Sequence, residues 1–147
     1  AVRQLVEQAT VLVGSDRHLS YFPNHPAQRI VLKDLTQTLS QLLPYLPSPP
    51  SPPSPPPPLP LPEIVILTSG DPLFFGLGRL LLEQFPAAWL TFHPHVSSVQ
   101  LAFSRVKLPW QDARVISGHG RSLDELMRTL QQGCETIAVL TDGTNTP

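Results

Sequence analysis

The chain has 147 residues, a formal net charge of −1 and 41% hydrophobic residues, which is the size and composition of a globular domain. Only 14% of its residues are charged and Lys and Arg form no basic run, so binding of nucleic acid has no electrostatic support. No apolar run approaches the roughly 20 residues needed to cross a bilayer, and no secretory signal is visible, so no membrane partner is expected.

Apolar periodicity predicts alternating strands and helices in chain order. Before the proline-rich stretch it predicts a helix tail at 2–8, a strand at 10–13 closed by Gly14-Ser15-Asp16, a strand near 29–32 and a helix near 35–43. After it, strands are predicted at 64–67, 88–92, 114–116 and 136–140, and helices at 75–84, 98–106 and 123–131. Ser122 to Glu125 has capping-box spacing at the start of the last helix. This alternation predicts an α/β fold, a parallel sheet with helices on both faces.

Residues 44–62 hold twelve of the 19 prolines, so the stretch is predicted to be neither helix nor central strand. A surface insertion or spacer is one interpretation, and a docking site for a proline-reading domain is the alternative. The chain starts at Ala1 and stops at Pro147, soon after a strand that needs a covering helix. We therefore expect an internal piece of a longer protein.

Three small polar loops follow predicted strands, at 68–72, 93–98 and 141–144. In a parallel sheet the carboxyl ends of the strands share one edge, where ligands bind. Gly70 permits close approach of a ligand, and Asp71 can accept hydrogen bonds. The alternative for this loop is plain capping, with Asp71 at the N-cap and Pro72 at the first helical position.

The other two loops carry the same ambiguity. Ser97 and Ser98 either cap the following helix or offer hydroxyls and free amides to a ligand. Asp142 and Gly143 are typical of a turn as much as of a site.

Metal and nucleophile chemistry have little support in the sequence. The five histidines show no compact metal spacing, and His93 and His95 lack a third close ligand. The only cysteine, Cys134, is expected to be a buried inert thiol. An unpaired cysteine also favours a reducing, cytoplasmic location.

Three segments together resemble the tetrapyrrole methylase family: SGDPLFFGLGR, HPHVSSVQLAFSRVKLPWQDARVISGHGR and VLTDGTNTP. The general hallmark is Gly70-Asp71-Pro72 with Phe75-Gly76. The runs 97–103, 108–112 and 119–121 resemble more sharply the subgroup that methylates C5 of a precorrin, a cobalamin precursor. The resemblance covers roughly 2–147 apart from the proline tract.

The resemblance implies a two-domain enzyme that binds S-adenosylmethionine (SAM) as its cofactor. Residues 1–140 would be the amino-terminal domain with a proline-rich insertion at 44–62, and 141–147 the start of a second domain or the crossover into it. The cofactor contacts that it implies are Ser69, Gly70, Asp71, Phe74, Ser97 and Ser98. His119 and Arg121 match a subgroup motif, and they either face the tetrapyrrole, with Arg121 pairing a carboxylate, or are structural.

The activity implied is SAM-dependent methylation of C5 of a precorrin in cobalamin biosynthesis, with C15 left to a separate decarboxylating methyltransferase module. That module and a second copy of the chain are the protein partners that the resemblance allows. The family's glycine-rich first loop would precede Ala1, and most of its second domain would follow Pro147. Another tetrapyrrole methylase, or a truncated non-catalytic fragment of one, is the alternative, and no catalytic base is identified.

Overall fold

A computed structural model describes residues 2–46, 63–119 and 122–144. The chain divides into two compact units, Ala1–Ser69 and Gly70–Pro147. Strands in both units pair only in parallel within the described ranges. The predicted α/β class with parallel strands is therefore confirmed. Within the described residues, no helix has the length and apolar character that crossing a membrane requires.

The first unit has a three-stranded parallel sheet whose central strand is completely buried. Its elements are α1 (Val2–Gln8), β1 (Val11–Gly14), α2 (Asp16–Ser20), β2 (Gln28–Val31), α3 (Leu35–Leu42), a 3-10 helix (Leu43–Tyr45) and β3 (Ile64–Ile66), and the strand order is β2-β1-β3. Val13 lies opposite Ile30 in β2 and Ile66 in β3. Every residue of β1 is buried, which suits a central strand covered on both sides.

Two apolar clusters occupy the two faces of this sheet. Leu12 packs with Val6 of α1 and Leu19 of α2. Its neighbours Val11 and Val13 point the other way and share a cluster with Leu42 of α3, in addition to Ile30 of β2. Because successive strand residues alternate sides, helices cover both faces, as predicted.

The second unit has one parallel pair of strands among its described residues. Its elements are α4 (Gly78–Gln84), a 3-10 helix (Ala87–Trp89), α5 (Ser98–Val106), β4 (Arg114–Ser117), α6 (Asp124–Gln131) and β5 (Ile137–Leu140). Ser117 is the register partner of Leu140 at the carboxyl end of the pair. Five predicted elements of this unit are present: α5 has the predicted bounds, and one end of each of the other four is shifted by one to three residues.

The predicted strand at 88–92 is wrong. The Trp89 amide donates to the Pro86 carbonyl (2.9 Å), and the Leu90 amide donates to the Ala87 carbonyl (3.1 Å). These bonds close a 3-10 turn, and residues 90–97 that follow pair with no strand. Local turn bonds therefore use the amides that a strand would offer to its neighbour.

Several smaller expectations also need correction. Gly14 is the last residue of β1 instead of following the strand, and Ser15 caps the short helix α2, which the periodicity did not predict. The capping box predicted at Ser122 is absent: its hydroxyl accepts from the Asp124 amide (3.2 Å), but the N-cap residue is Leu123, without a side-chain cap bond. Cys134 is half-buried rather than buried. The proline tract begins inside the Leu43–Tyr45 3-10 helix, and 47–62 lie outside the described residues.

Candidate functional site

Gly70 and Ser97 bring two of the three predicted polar loops together in the second unit. The Gly70 carbonyl accepts a hydrogen bond from the His95 amide at 3.1 Å. Gly70 has φ +64°, and a Cβ placed on it would lie 3.3 Å from the Ser97 Cα. The backbones therefore approach each other in a way that needs glycine, both for the space and for the left-handed conformation.

Asp71 shapes the loop that follows. Its Oδ1 accepts from the Leu73 amide (2.9 Å), and its carbonyl accepts from the Phe74 amide (3.1 Å). Helix α4 begins only at Gly78, whose amide donates to the Pro72 carbonyl at 2.8 Å. Asp71 is therefore not a helix N-cap and Pro72 is not a first helical residue, so the plain capping alternative is wrong. The aspartate instead closes an Asx-type turn.

Two aromatic residues form the wall of a cavity beside this turn. Phe74 and Phe75 pack edge to face, with ring centroids 4.9 Å apart. Phe75 has φ +52°, an uncommon and strained conformation for a bulky residue. The cavity has a volume of about 560 Å³ and is lined by Leu73, Phe74, Phe75, Gly76, Arg79, Leu80, Ser117 and His119.

This cavity joins a predicted cofactor residue, Phe74, to a predicted substrate residue, His119. Sequence reasoning missed Ser117 and Arg79, which also line it. Ser117 is buried at the end of β4, one residue past the predicted strand. Arg79 forms an ion pair with Glu83 one helical turn later, and that spacing signals only a solvated helix face. Arg121 lies outside the described residues.

Ser97 caps helix α5. Its hydroxyl accepts from the Gln100 amide (3.2 Å), and the Gln100 side chain accepts from the Ser97 amide (2.8 Å). Ser97 is buried, whereas Ser98 in the first helical turn is exposed. The capping interpretation is confirmed for Ser97, so its hydroxyl is already used by the protein. In the third loop, the Asp142 side chain accepts a hydrogen bond from the Thr144 amide at 2.9 Å. This bond closes a turn.

Ser69 belongs to the first unit and has partners there that the sequence did not predict. The Arg17 guanidinium donates to the Ser69 hydroxyl at 2.8 Å. Nε2 of His18 lies 3.0 Å from the same hydroxyl, and Nδ1 of His18 lies 3.0 Å from the Ser15 hydroxyl. Burial, and secondly the charge of Arg17, lower the pKa of His18 below its usual value. The only sequence signal for this cluster is its place after a strand.

Among the ranges that the structure describes, His, Cys, Asp and Glu residues form no group of three or more that could hold a metal ion. His93 and His95 are both exposed on the segment before α5. The described residues of the candidate site therefore offer backbone groups, hydroxyls, one aspartate and aromatic surface, and Arg79 and His119 add a guanidinium and an imidazole to the cavity lining.

Residues 62–147 match the family model of the tetrapyrrole (corrin/porphyrin) methylases. This match spans more than half of the chain and includes the Gly70 turn, the Ser97 cap and the cavity. The chain belongs to this family.

Two proteins with similar sequences are methyltransferases that act on precorrins, as their names state. A precorrin-6Y C(5,15)-methyltransferase (decarboxylating) of Sinorhizobium sp. is 40% identical over 80 residues, 54% of this chain and 19% of that protein. A cobalt-precorrin-7 C(5)-methyltransferase of Salmonella typhimurium is 30% identical over 122 residues, 82% of this chain and 54% of that protein. The chain thus spans about half or less of the length of these relatives.

A solved structure agrees with the fold. The precorrin-6Y methylase of cobalamin biosynthesis from Archaeoglobus fulgidus superposes with a TM-score of 0.52 at 21% identity, covering 83% of this chain and 58% of that one. At this identity the likeness supports the fold alone.

Proposed function

We propose that the protein to which this chain belongs transfers a methyl group from SAM to C5 of a precorrin in cobalamin biosynthesis. The observation that carries the proposal is the contact between the Gly70 turn and Ser97, within a chain of the tetrapyrrole methylase family. The named relatives methylate C5, or C5 and C15, of such compounds. We assign C5 to this chain and leave C15 to a separate decarboxylating module.

The residues present fit a SAM molecule. A Cβ at Gly70 would lie 3.3 Å from the Ser97 Cα, so glycine allows the two loops to meet closely beside the Asp71 turn. Asp71 uses Oδ1 for its own turn, and Oδ2 takes part in no hydrogen bond among the residues described. Phe74 offers an aromatic face, and a cavity of about 560 Å³ is within the usual range for small-molecule sites.

SAM supplies an activated methyl group: the S–CH3 bond breaks as a bond to the ring carbon forms, and a ring proton is lost afterwards. The demands on the protein are orientation and exclusion of water rather than a strong nucleophile. In the proposal, Asp71 accepts a hydrogen bond from a ligand hydroxyl or amine, Gly70 and Ser98 contribute close backbone and hydroxyl contacts, and Phe74 excludes water. The absence of a nucleophile–base motif from the sequence agrees with this chemistry.

The substrate side of the proposal rests on His119 and Arg121. His119 lines the same cavity as Phe74 and Phe75, where it can donate a hydrogen bond to a tetrapyrrole side chain. Arg121 follows two residues later, and a guanidinium suits the carboxylates that precorrins carry. We further propose a cytoplasmic location, and a second copy of the chain or a C15 module as protein partners.

Methyl transfer itself tests the proposal. The complete protein is incubated with SAM and either precorrin-6Y or cobalt-precorrin-7, and the product is analysed by mass spectrometry and NMR. We expect S-adenosylhomocysteine and a tetrapyrrole that has gained one methyl group at C5. Asp71→Asn should reduce the rate while the protein remains folded, and Asp112→Asn, an exposed aspartate outside the site, is the matched control.

Two other outcomes would overturn the proposal in different ways. Methylation of another ring carbon would make the protein a tetrapyrrole methylase of different specificity. Failure of the complete protein to bind SAM by calorimetry would favour a non-catalytic remnant. Binding by the complete protein but not by this 147-residue chain would show that the chain holds an incomplete site.

A further inference from the structure

The side chains of Ser15, Arg17, His18 and Ser69 form a connected hydrogen-bond cluster in the first unit. Its distances are 2.8 Å from Arg17 to the Ser69 hydroxyl, 3.0 Å from that hydroxyl to His18 Nε2, and 3.0 Å from His18 Nδ1 to the Ser15 hydroxyl. Ser69 is exposed although two side chains hold it, so its hydroxyl is both fixed and accessible.

Arg17 decides how the protons are arranged. A guanidinium only donates hydrogen bonds, and its Nη2 lies 3.5 Å from His18 Nε2 as well as 2.8 Å from Ser69. A hydrogen on Nε2 would be repelled by the positive charge of Arg17, whereas a lone pair on Nε2 is attracted to it. The neutral imidazole therefore carries its proton on Nδ1 and donates it to Ser15, and Nε2 accepts the proton of the Ser69 hydroxyl.

This arrangement leaves the Ser69 hydroxyl oxygen with one unused hydrogen-bond acceptor position. Its O–H is directed to His18, one lone pair accepts from Arg17, and the second lone pair has no partner among the residues that the structure describes. An outside group that binds this hydroxyl must consequently be a donor. A neutral amine or hydroxyl suits the site better than an ammonium group, because the Arg17 cation is 2.8 Å from the oxygen.

We propose that Arg17 and His18 are positioning residues that make Ser69 a hydrogen-bond acceptor for an amine or hydroxyl of bound SAM. This inference depends on the proposed function for its ligand, but the proton arrangement does not. Protonation of His18 would put a hydrogen on Nε2, which then donates to Ser69. The Ser69 O–H would then have to turn away from His18, and the group that Ser69 presents to a ligand would change from an acceptor lone pair to a donor O–H.

The surroundings of His18 agree with a neutral ring at neutral pH. Helix α2 contributes Arg17 and Asp16, β2 contributes Arg29, and β1 and residues 64–69 contribute no charged group. Arg29 donates to the carbonyls of Leu19 and Pro23. Burial and Arg17 lower the pKa of His18 from 6.5, so the switch lies below that pH.

Long-range ¹⁵N spectra of the histidine rings test the proton arrangement without any ligand. We expect His18 to be protonated at Nδ1 and bare at Nε2 at neutral pH, and its pKa to rise in Ser69→Ala, which removes the donor to Nε2. A ring protonated at Nε2, or a pKa that Ser69→Ala leaves unchanged, would overturn the arrangement.

Calorimetric titration of the complete protein with SAM between about pH 5 and pH 8 tests the role in binding. The wild type should lose about fivefold to tenfold in affinity as His18 becomes protonated, the equivalent of one hydrogen bond. His18→Gln keeps a group able to accept from Ser69 but does not titrate, so it should bind SAM well and lack this pH step. Arg17→Lys should retain the step while shifting its midpoint.

A pH step that persists unchanged in His18→Gln would overturn the positioning role. A wild type that binds no SAM at any pH would instead contradict the proposed function, while the ring spectra still decide the proton arrangement. Thermal unfolding of each variant at neutral pH checks that a loss of affinity is not a loss of fold.

Discussion

The Cα of Ser97 lies so close to Gly70 that a Cβ built on the glycine would be 3.3 Å away from it. This contact joins the turn after β3 to the start of α5 within the second unit. Ser97 is held in place by its capping box, so it cannot easily move away from a side chain added at residue 70. The relationship predicts which glycines of the chain tolerate alanine.

Gly70→Ala should destabilise the protein by more than the about 1–2 kcal/mol that a left-handed backbone costs an L-residue. Gly133 provides a matched control, because it has φ +71° but no atom within 4 Å of an added Cβ. Gly133→Ala should show the backbone cost alone. Gly143→Ala, with neither feature, should be close to neutral.

Chemical denaturation of the three glycine variants measures these differences directly. Equal losses for Gly70→Ala and Gly133→Ala would mean that Ser97 does not press on residue 70. The same series should weaken SAM binding only at Gly70.

Ser97→Ala should cost about 1 kcal/mol of unfolding free energy, because the hydroxyl that caps α5 is lost. Ser98 is the neighbouring control, since it is exposed in the first helical turn. Ser98→Ala should change stability by less than about 0.5 kcal/mol, as surface substitutions usually do. In urea titrations, a similar loss for both variants would contradict the assignment of the cap to Ser97 alone.

Phe75 allows the backbone strain of the turn to be separated from its aromatic wall. Phe75→Ala and Phe75→Gly both remove the ring, but only glycine relaxes φ +52° without cost. Phe75→Gly should therefore be more stable than Phe75→Ala by about 1 kcal/mol. Melting curves in which alanine is the more stable of the two would show that the left-handed conformation is not kept.

Stability should depend on pH through His18. Its folded-state pKa is lowered, so the unfolded chain binds the proton more readily than the folded one. The contribution of neutral His18 is fully present above 6.5 and is lost as pH falls from there through the folded-state pKa. Across this window the unfolding free energy of the wild type should fall relative to that of His18→Gln, which has no imidazole to protonate.

Arg17 is the second cause of the lowered pKa, so Arg17→Gln should raise the folded-state pKa of His18 towards its unfolded value and reduce the stability that is lost on acidification. A wild type whose stability rises on acidification in this window would contradict the sign of the shift.

How far the sequence predicted the fold depended on whether local signals decided the outcome. Helix α5 has the predicted bounds because Ser97 and Gln100 form a cap that three residues of sequence specify. The strand predicted at 88–92 failed because the turn bonds that begin at Pro86 compete with a ladder that only tertiary pairing could supply. Helix α4 starts late for a related reason: Asp71 bonds the Leu73 amide and closes a turn where a cap was expected.

The sequence predicted the loop residues of the candidate site but not the contacts that other elements make with them. Gly70, Asp71 and Ser97 follow predicted strands or precede a predicted helix, so their types and places in the pattern drew attention. Arg17 and His18 reach Ser69 across about fifty residues of sequence, a contact that no periodicity encodes. The cavity likewise needs Ser117 beside Phe74, which only the folded second unit provides.

The most direct test of the account is an amide NMR titration of the complete protein with SAM, in which the shifts are mapped onto the assigned chain. We expect saturable shifts concentrated at residues 69–75 and 97–98, with Gly133 and Asp112 unchanged. Saturable binding whose shifts lie elsewhere and leave Gly70 and Ser97 unperturbed would contradict the assignment of the methyl-donor site to this turn.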